Sequence, residues 1–333
     1  MNIRINLQLF AEMNTQTTLL SGLTPEMKTF YDMTLLDEAS PQLVHDQFGQ
    51  KRPIPNGSGK TIEFRKFSSL PKVHDKPLVE GVTPDGGSLE VTTLTATVEQ
   101  YGYYIVQSDV LELTSLDNTI LEATKLLGKQ AGVTLDTVVR NAINAGDNVF
   151  YCPNGDTEVT SRANLTANSK LTVDVIQRVV AKLRANNIET INGDYVAIIH
   201  PYVAYDLMAS EAWERAHVYT TPENIYAGEI GRIAGVRFVQ TSEAKIWTGT
   251  GCPSNLAVFS TLIFGENAYG VTEITGGGLQ TIVKQKGSAG TGDPLDQRSS
   301  IGWKGMKTAE ILLPNAIVRV ESCSKFSATA QAN

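Results

Sequence analysis

NTILEATKLLGKQAGVTLDTVVRNAINA, residues 118–145, is the stretch from which the rest of the chain is read. Small or apolar side chains recur at Ile120, Thr124, Leu127, Ala131, Leu135, Val138 and Ala142, in steps of three and four. That period marks one buried face of a helix. Asp117 and Asn118 offer an N-cap, and Gly146 a stop. At ~1.5 Å per residue the helix reaches about 40 Å, the width of a domain. Asp136 and Arg140, one turn apart, read as a pair on its outer side. Gly128 and Gly132 each cost the helix ~1 kcal/mol relative to alanine. Spaced by one turn, they share a face and admit another backbone, so they are candidates for close packing.

The whole chain of 333 residues, 41% of them hydrophobic, can bury a sizeable core divided between two domains. A net charge of -7 argues against a protein that grips nucleic acid, since phosphate contacts need an excess of Lys and Arg. Cys152, Cys252 and Cys323 lie far apart in sequence, without a C-x-x-C, and give neither a disulfide framework nor a zinc site. A reducing compartment fits. His45, His74, His200 and His217 form no metal-binding pair, and each reads as a solvated or hydrogen-bonded structural residue. With no catalytic constellation, the chain reads as a non-enzyme without metal or cofactor. Apolar runs such as YVAII, residues 195–199, fall far short of the ~20 residues a membrane span needs. The start, MNIRINLQLFAE, lacks the apolar length and cleavage site of a secretory signal.

Upstream of the long helix, residues 1–23 read as a flexible or extended arm. Thr24-Pro25-Glu26 opens a short helix. IPNGSGKT, residues 54–61, approaches the phosphate-binding pattern G-x-x-x-x-G-K-[ST], with Ile54 in place of the first glycine. A nucleotide loop must open a helix, so that its backbone N–H groups meet the phosphates. Here Ile62 and Phe64 alternate with charged residues, which predicts a strand instead. A strand over 61–67 and a second from Ser88 to Val98 flank a tip, Ser68–Gly87, rich in proline and glycine. The change of parity between Leu89/Val91 and Leu94/Ala96/Val98 suggests a bulge near Thr92-Thr93. So long a hairpin, with few large apolar residues at its tip, reads equally as one that rests on another subunit or as a mobile surface hairpin. Its candidate intersubunit contacts are Phe64, the basic residues Arg65, Lys66, Lys72 and Lys76, and the acidic residues Glu80, Asp85 and Glu90.

Downstream, Asp147–Ser169 is turn-rich and marks a boundary. Helices are predicted at Thr172–Asn186, from the stripe Val173, Ile176, Val180 and Leu183, and from Tyr202 to about Ala216. Strands are predicted at Tyr195–Ile199, Val236–Gln240, Leu256–Phe259, Leu262–Phe264, Val271–Ile274, Thr281–Lys284, Arg298–Leu313 (interrupted or turned near Gly305) and Ala316–Val320, followed by a frayed tail after Ser322.

The order is arm, projecting hairpin, long helix, mixed α/β region, final strands. It resembles the Hong Kong 97 shell fold of tailed bacteriophages, and most closely the major capsid proteins of the phage N-four type. The stretches that carry the resemblance are LTPEMKTFYDMTLLDEASPQLVHDQFGQKRPIP (23–55), GKTIEFRKFSSLP (59–71), VEGVTPDG (79–86), SDVLELT (108–114), EATKLLGKQAGVTLDTVVRNAINAG (122–146) and DPLDQRSSIGWK (293–304).

The resemblance implies an α+β fold with an N-terminal arm (1–58), an extended loop over a neighbouring subunit (59–104), and a peripheral domain (105–164) with the spine helix 118–145. It also implies an axial domain (165–292) and strands returning to the peripheral domain (293–333). It implies a major capsid protein that self-assembles as hexamers and pentamers into an icosahedral shell around double-stranded DNA, without sequence-specific binding. The implied partners are a scaffolding protein, a portal and a possible decoration protein. The implied location is the virion, with assembly in the host cytoplasm. An encapsulin-type nanocompartment shell is the alternative of the same fold, set apart by an N-terminal helix in place of a long arm. A nucleotide-binding enzyme built on residues 54–61 is the alternative of another class.

Overall fold

A computed structural model of the chain describes residues 25–39, 43–53, 60–67, 70, 78, 80–83, 86–114, 119–210, 213, 231–272, 279–288 and 293–333. Its first half contains helix α1 (Pro25–Ala39), strands β1 (Gln50–Arg52), β2 (Thr61–Phe67), β3 (Val91–Thr97) and β4 (Glu99–Ser108), helices α2 (Asp109–Thr114) and α3 (Thr119–Ile143), and β5 (Val149–Tyr151). Then come α4 (Val173–Ala185), β6 (Tyr195–Ile199), α5 (Pro201–Met208), β7 (Arg232–Ile233), β8 (Val236–Gln240), β9 (Ile246–Trp247), β10 (Val258–Phe264) and β11 (Tyr269–Thr272). The last strands are β12 (Leu279–Lys284), β13 (Arg298–Lys307), β14 (Ala309–Ile311) and β15 (Ile317–Ser322). The arm expected over residues 1–23 lies outside the described residues.

The chain divides into two compact units. One gathers the described residues of Met1–Gln42, Tyr101–Gly132 and Leu279–Gly305, and the other those of Leu43–Gln100, Val133–Gly278 and Met306–Asn333. The second is built on a sheet of strand order β5-β15-β10-β6-β8-β7, with β9 also pairing β10. Strand β6 is parallel to β8 and antiparallel to β10. Every residue of β6 is buried, because both of its faces are covered. Tyr195, Ala197 and Ile199 pack with the apolar stripe of α4 and with Val203 and Leu207 of α5. Val196 and Ile198 point the other way, toward Val139 and Ile143 of α3 and Tyr269 and Val271 of β11. Helix α4 begins where expected, because the Thr172 hydroxyl accepts a hydrogen bond from the Val175 N–H at 3.4 Å.

Three sequence readings need correction. The strands expected at Leu256–Phe259 and Leu262–Phe264 are one strand, β10. The polar pair between them does not break it, since Ser260 donates from its hydroxyl to Asn144 Oδ1 at 2.6 Å within the core. The pairing of β2 with β3 runs in regular register from Thr61↔Thr97 to Phe67↔Val91, so there is no bulge at Thr92-Thr93. Leu94, Ala96 and Val98 face the core, whereas Leu89 and Val91 are exposed. The tail after Ser322 is packed rather than frayed. Ser324 and Ser327 are buried, Phe326 stacks on Tyr202 with ring centroids 4.5 Å apart, and the Asn333 side chain bonds Ile246 N and Ala244 O, each at 3.0 Å.

The other unit carries α1, α2 and the sheet β12-β13-β4. Helix α1 packs against β12 and on the N-terminal part of α3. A Cβ on Gly128 would lie 2.9 Å from the Leu35 carbonyl oxygen and 2.9 Å from Glu38 Cβ, so the missing side chain is what admits α1.

Candidate assembly surfaces

The buried residues of α3 form two rows of constant step four: Ala123, Leu127, Ala131, Leu135, Val139 and Ile143 beside Thr124, Gly128, Gly132, Asp136, Arg140 and Asn144. A step of four overshoots the helical repeat by about 40° per turn, so the inner face drifts around the axis. Drift carries Asp136 and Arg140 inward and leaves Val138 and Ala142 only partly buried. The outer-face pairing of Asp136 with Arg140 is therefore wrong. Both are buried, and each has its own partner.

Asp136 holds the turn ahead of β1. Its Oδ1 accepts the His45 backbone N–H at 2.7 Å, and its Oδ2 lies 2.6 Å from His45 Nδ1. The Tyr269 hydroxyl donates to the His45 carbonyl at 2.5 Å. Burial raises the Tyr269 hydroxyl pKa well above its ordinary value, and Asp46 and Asp136 push the same way. Asp46 is ion-paired with Lys307, whose ammonium also donates to the Thr272 carbonyl at 2.8 Å. Burial lowers the Lys307 pKa, with Asp46 opposing. Arg140 donates from Nη1 to the Glu243 carbonyl at 2.8 Å. Its pKa is lowered by burial, with Glu243 and Asp136 opposing. Removing one partner of such a buried set costs about 3–5 kcal/mol, because the other charge stays buried.

This network fixes the root of the β2–β3 ribbon. Strand β1 pairs in parallel with β11, Gln50 opposite Gly270. Gly270 in turn makes room for the Phe64 ring, which contacts the place a Cβ would occupy. Phe64 is fully buried with Ile62, Ala96, Val98 and Leu312. It anchors the ribbon in its own chain and has no surface left for a neighbour, which corrects its place among the intersubunit candidates. Arg65, Glu80 and Glu90 are exposed. Lys66 lies in β2, and its side chain is outside the described residues, as are Lys72, Lys76 and Asp85. Of the two glycines of α3, Gly128 packs against α1 and Gly132 is buried.

Residues 54–59 of the phosphate-loop look-alike lie outside the described residues. Lys60 and Thr61 lead into strand β2, and the Lys60 carbonyl accepts the Val98 N–H at 2.7 Å. Among the described residues this is the base of a hairpin, where a strand and not a helix N-terminus follows Lys60. Among the described residues no group of three or more His, Cys, Asp or Glu could hold a metal ion, and no helix is long and apolar enough to cross a membrane.

Exposed apolar side chains are unevenly distributed. The α1/α2 unit exposes Tyr103, Tyr104, Val110, Leu111, Leu113 and Leu126, and the segment between β2 and β3 exposes Leu70, Leu78, Val82 and Leu89. The helices over the seven-stranded sheet expose only Tyr202 and Tyr205 among their described large apolar residues. Apolar surface gathered on particular elements marks sites that other molecules cover.

A family model described as phage capsid protein matches residues 90–320. Solved structures share the fold at low identity. The capsid of Ralstonia phage GP4 is 14% identical with a TM-score of 0.67, covering 95% of this chain and 97% of that one. The capsid of cyanophage Pam1 is 13% identical with a TM-score of 0.61, covering 95% and 97%. The capsid of cyanophage P-SCSP1u is 15% identical with a TM-score of 0.61, covering 82% and 85%. No curated protein matches the sequence.

Proposed function

The chain belongs to the phage capsid protein family, and from that premise we propose how this major capsid protein builds its shell. Copies associate as hexamers and pentamers into a closed icosahedral shell around double-stranded DNA, with the β2–β3 ribbon of each copy lying over the next. The observation that carries this reading is the ribbon itself. It is anchored at its root by Phe64, yet it exposes Leu89 and Val91 beyond its last packed residue, next to the charges of Arg65 and Glu90. Ordering a strand pair costs ~1–2 kcal/mol per residue in backbone entropy, which a surface on a neighbour can offset by burying those side chains. Arg65, Lys66, Lys72 and Lys76 on one copy then meet acidic residues on another, and Glu80, Asp85 and Glu90 meet basic ones. The net charge of -7 suits a wall that encloses DNA without holding it. Repetition around closed symmetry lets modest contacts add to a stable shell. The 165–292 region serves as the axial domain at the centre of each capsomer, and residues 105–164 with 293–333 as the peripheral domain. A scaffolding protein and a portal direct closure in the host cytoplasm, and a decoration protein is a further possible partner.

Replacing residues 68–87 by a short Gly-Ser turn tests this reading. Circular dichroism should show a folded subunit, and electron microscopy should show failed or fragile shells. Shells of unchanged stability would remove the ribbon from assembly, and an unfolded subunit would place the ribbon in its own chain's core.

A further inference from the structure

The Lys307–Asp46 contact is unlike the surface ion pairs of this chain. Lys307 is fully buried and the Asp46 side chain is 8% exposed, and the two residues stand 261 positions apart in the sequence. Both are held on fixed backbone. Asp46 follows His45, whose N–H and ring are bound by Asp136. Lys307 ends β13, and the next residue, Thr308, donates its N–H to Thr272 Oγ1 at 3.1 Å. The Thr272 carbonyl accepts one Nζ hydrogen at 2.8 Å, so a second acceptor besides the carboxylate orients the amine.

We propose that Lys307 and Asp46 become joined in the folded chain by an amide bond between Nζ and Cγ. The pair has been removed from water, and that removal penalises the charged forms. Burial lowers the Lys307 pKa and Lys51 acts in the same direction, with Asp46 and Asp136 opposing. One Nζ proton passes to the Asp46 carboxylate, giving amine and acid. The Nζ lone pair then attacks Cγ, and the C–OH bond breaks. A second Nζ proton goes to the departing oxygen, which leaves as water, and the third stays on the amide. Nothing is oxidised or reduced, and no co-reactant is needed. Two groups held in contact on rigid elements react with a large advantage over the same groups free in solution. The bond would staple the turn ahead of β1, and with it the root of the ribbon, to the end of β13. It lies within one chain and stands whether or not the shell reading holds.

Peptide mapping of the purified, folded chain by mass spectrometry tests the proposal directly. The expected result is a branched peptide joining the segments around residues 46 and 307, lighter than their sum by one water. Lys307→Arg keeps the cation and lacks the reacting amine, so it should give only linear peptides of full mass. Asp46→Asn should give the same branch with loss of ammonia instead of water. Linear peptides alone from the folded wild-type chain would overturn the proposal. So would a water loss confined to a linear peptide containing Asp85-Gly86, since a cyclic imide there has the same mass.

Discussion

Substituting Gly128 by alanine sets two effects of known size against each other. In an isolated helix the change stabilises by ~1 kcal/mol, because glycine has more backbone freedom to lose. In this structure the new Cβ falls 2.9 Å from the Leu35 carbonyl oxygen and 2.9 Å from Glu38 Cβ. The first of these is main chain inside α1 and cannot rotate away, so α1 must move outward by several tenths of an ångström. Overpacking of that kind costs about 1–3 kcal/mol. The steric effect wins, and Gly128→Ala should destabilise the α1 contact by about 1 kcal/mol net. Hydrogen exchange on dissociated subunits should show faster exchange of the amides of α1, while the amides of β6 and β10 keep theirs. A variant that is more stable by ~1 kcal/mol, with α1 equally protected, would refute the docking of α1 over Gly128.

Asp136→Ala should cost about 3–5 kcal/mol in urea unfolding of the subunit, since it strips His45 of two hydrogen bonds and removes one of the two anions that oppose the burial of Arg140; a loss below ~1 kcal/mol would mean that the turn is not held there. Burial pulls the His200 imidazole down to about 4, and its Nδ1 accepts the Tyr202 N–H at the start of α5. Protonation therefore favours the unfolded chain. Stability should be independent of this group above its ordinary pKa of 6.5, fall as pH drops from there, and level off below about 4. His200→Asn, which caps without titrating, should flatten that part of the pH profile, and an unchanged slope would assign it elsewhere. Lys72 and Lys76, between β2 and β3 in the sequence, and Asn315, in the 3-10 turn between β14 and β15, carry no motif that ties them together, so denaturing electrophoresis of mature shells should show monomers only. A ladder of covalent multimers would contradict this.

The parts of the fold that were legible in the sequence are those where local pattern and burial agree. Helix α4 has a clean stripe and a threonine cap, β6 is an unbroken apolar run covered on both faces, and β2 alternates because one face packs on Leu312. Close packing at Gly128 was readable because glycine inside a long helix has a cost that something must offset. The polar interior was not legible. Asp136 and Arg140 have the spacing of a surface pair, and nothing local says that their partners stand at His45 and Glu243. The available signal was the i+4 row that begins at Thr124 and passes through both glycines, since a row containing two buried glycines continues on the buried side. Lys307, among alternating residues of β13, looks like any solvated strand lysine until Asp46 is brought to it by the turn ahead of β1. The bulge expected in β3 failed because parity alone cannot separate a bulge from a regularly paired strand whose far end carries apolar residues on its exposed face.

The central claim is that the ribbon is completed by a neighbouring copy. Cryo-electron microscopy of shells formed by the expressed chain, resolved to side chains, tests it most directly. Closed icosahedral particles are expected, in which Leu89 and Val91 of one copy are covered by another, with Phe64 still buried in its own subunit. Shells in which the ribbon folds back on its own chain, leaving no contact with a neighbour, would contradict it.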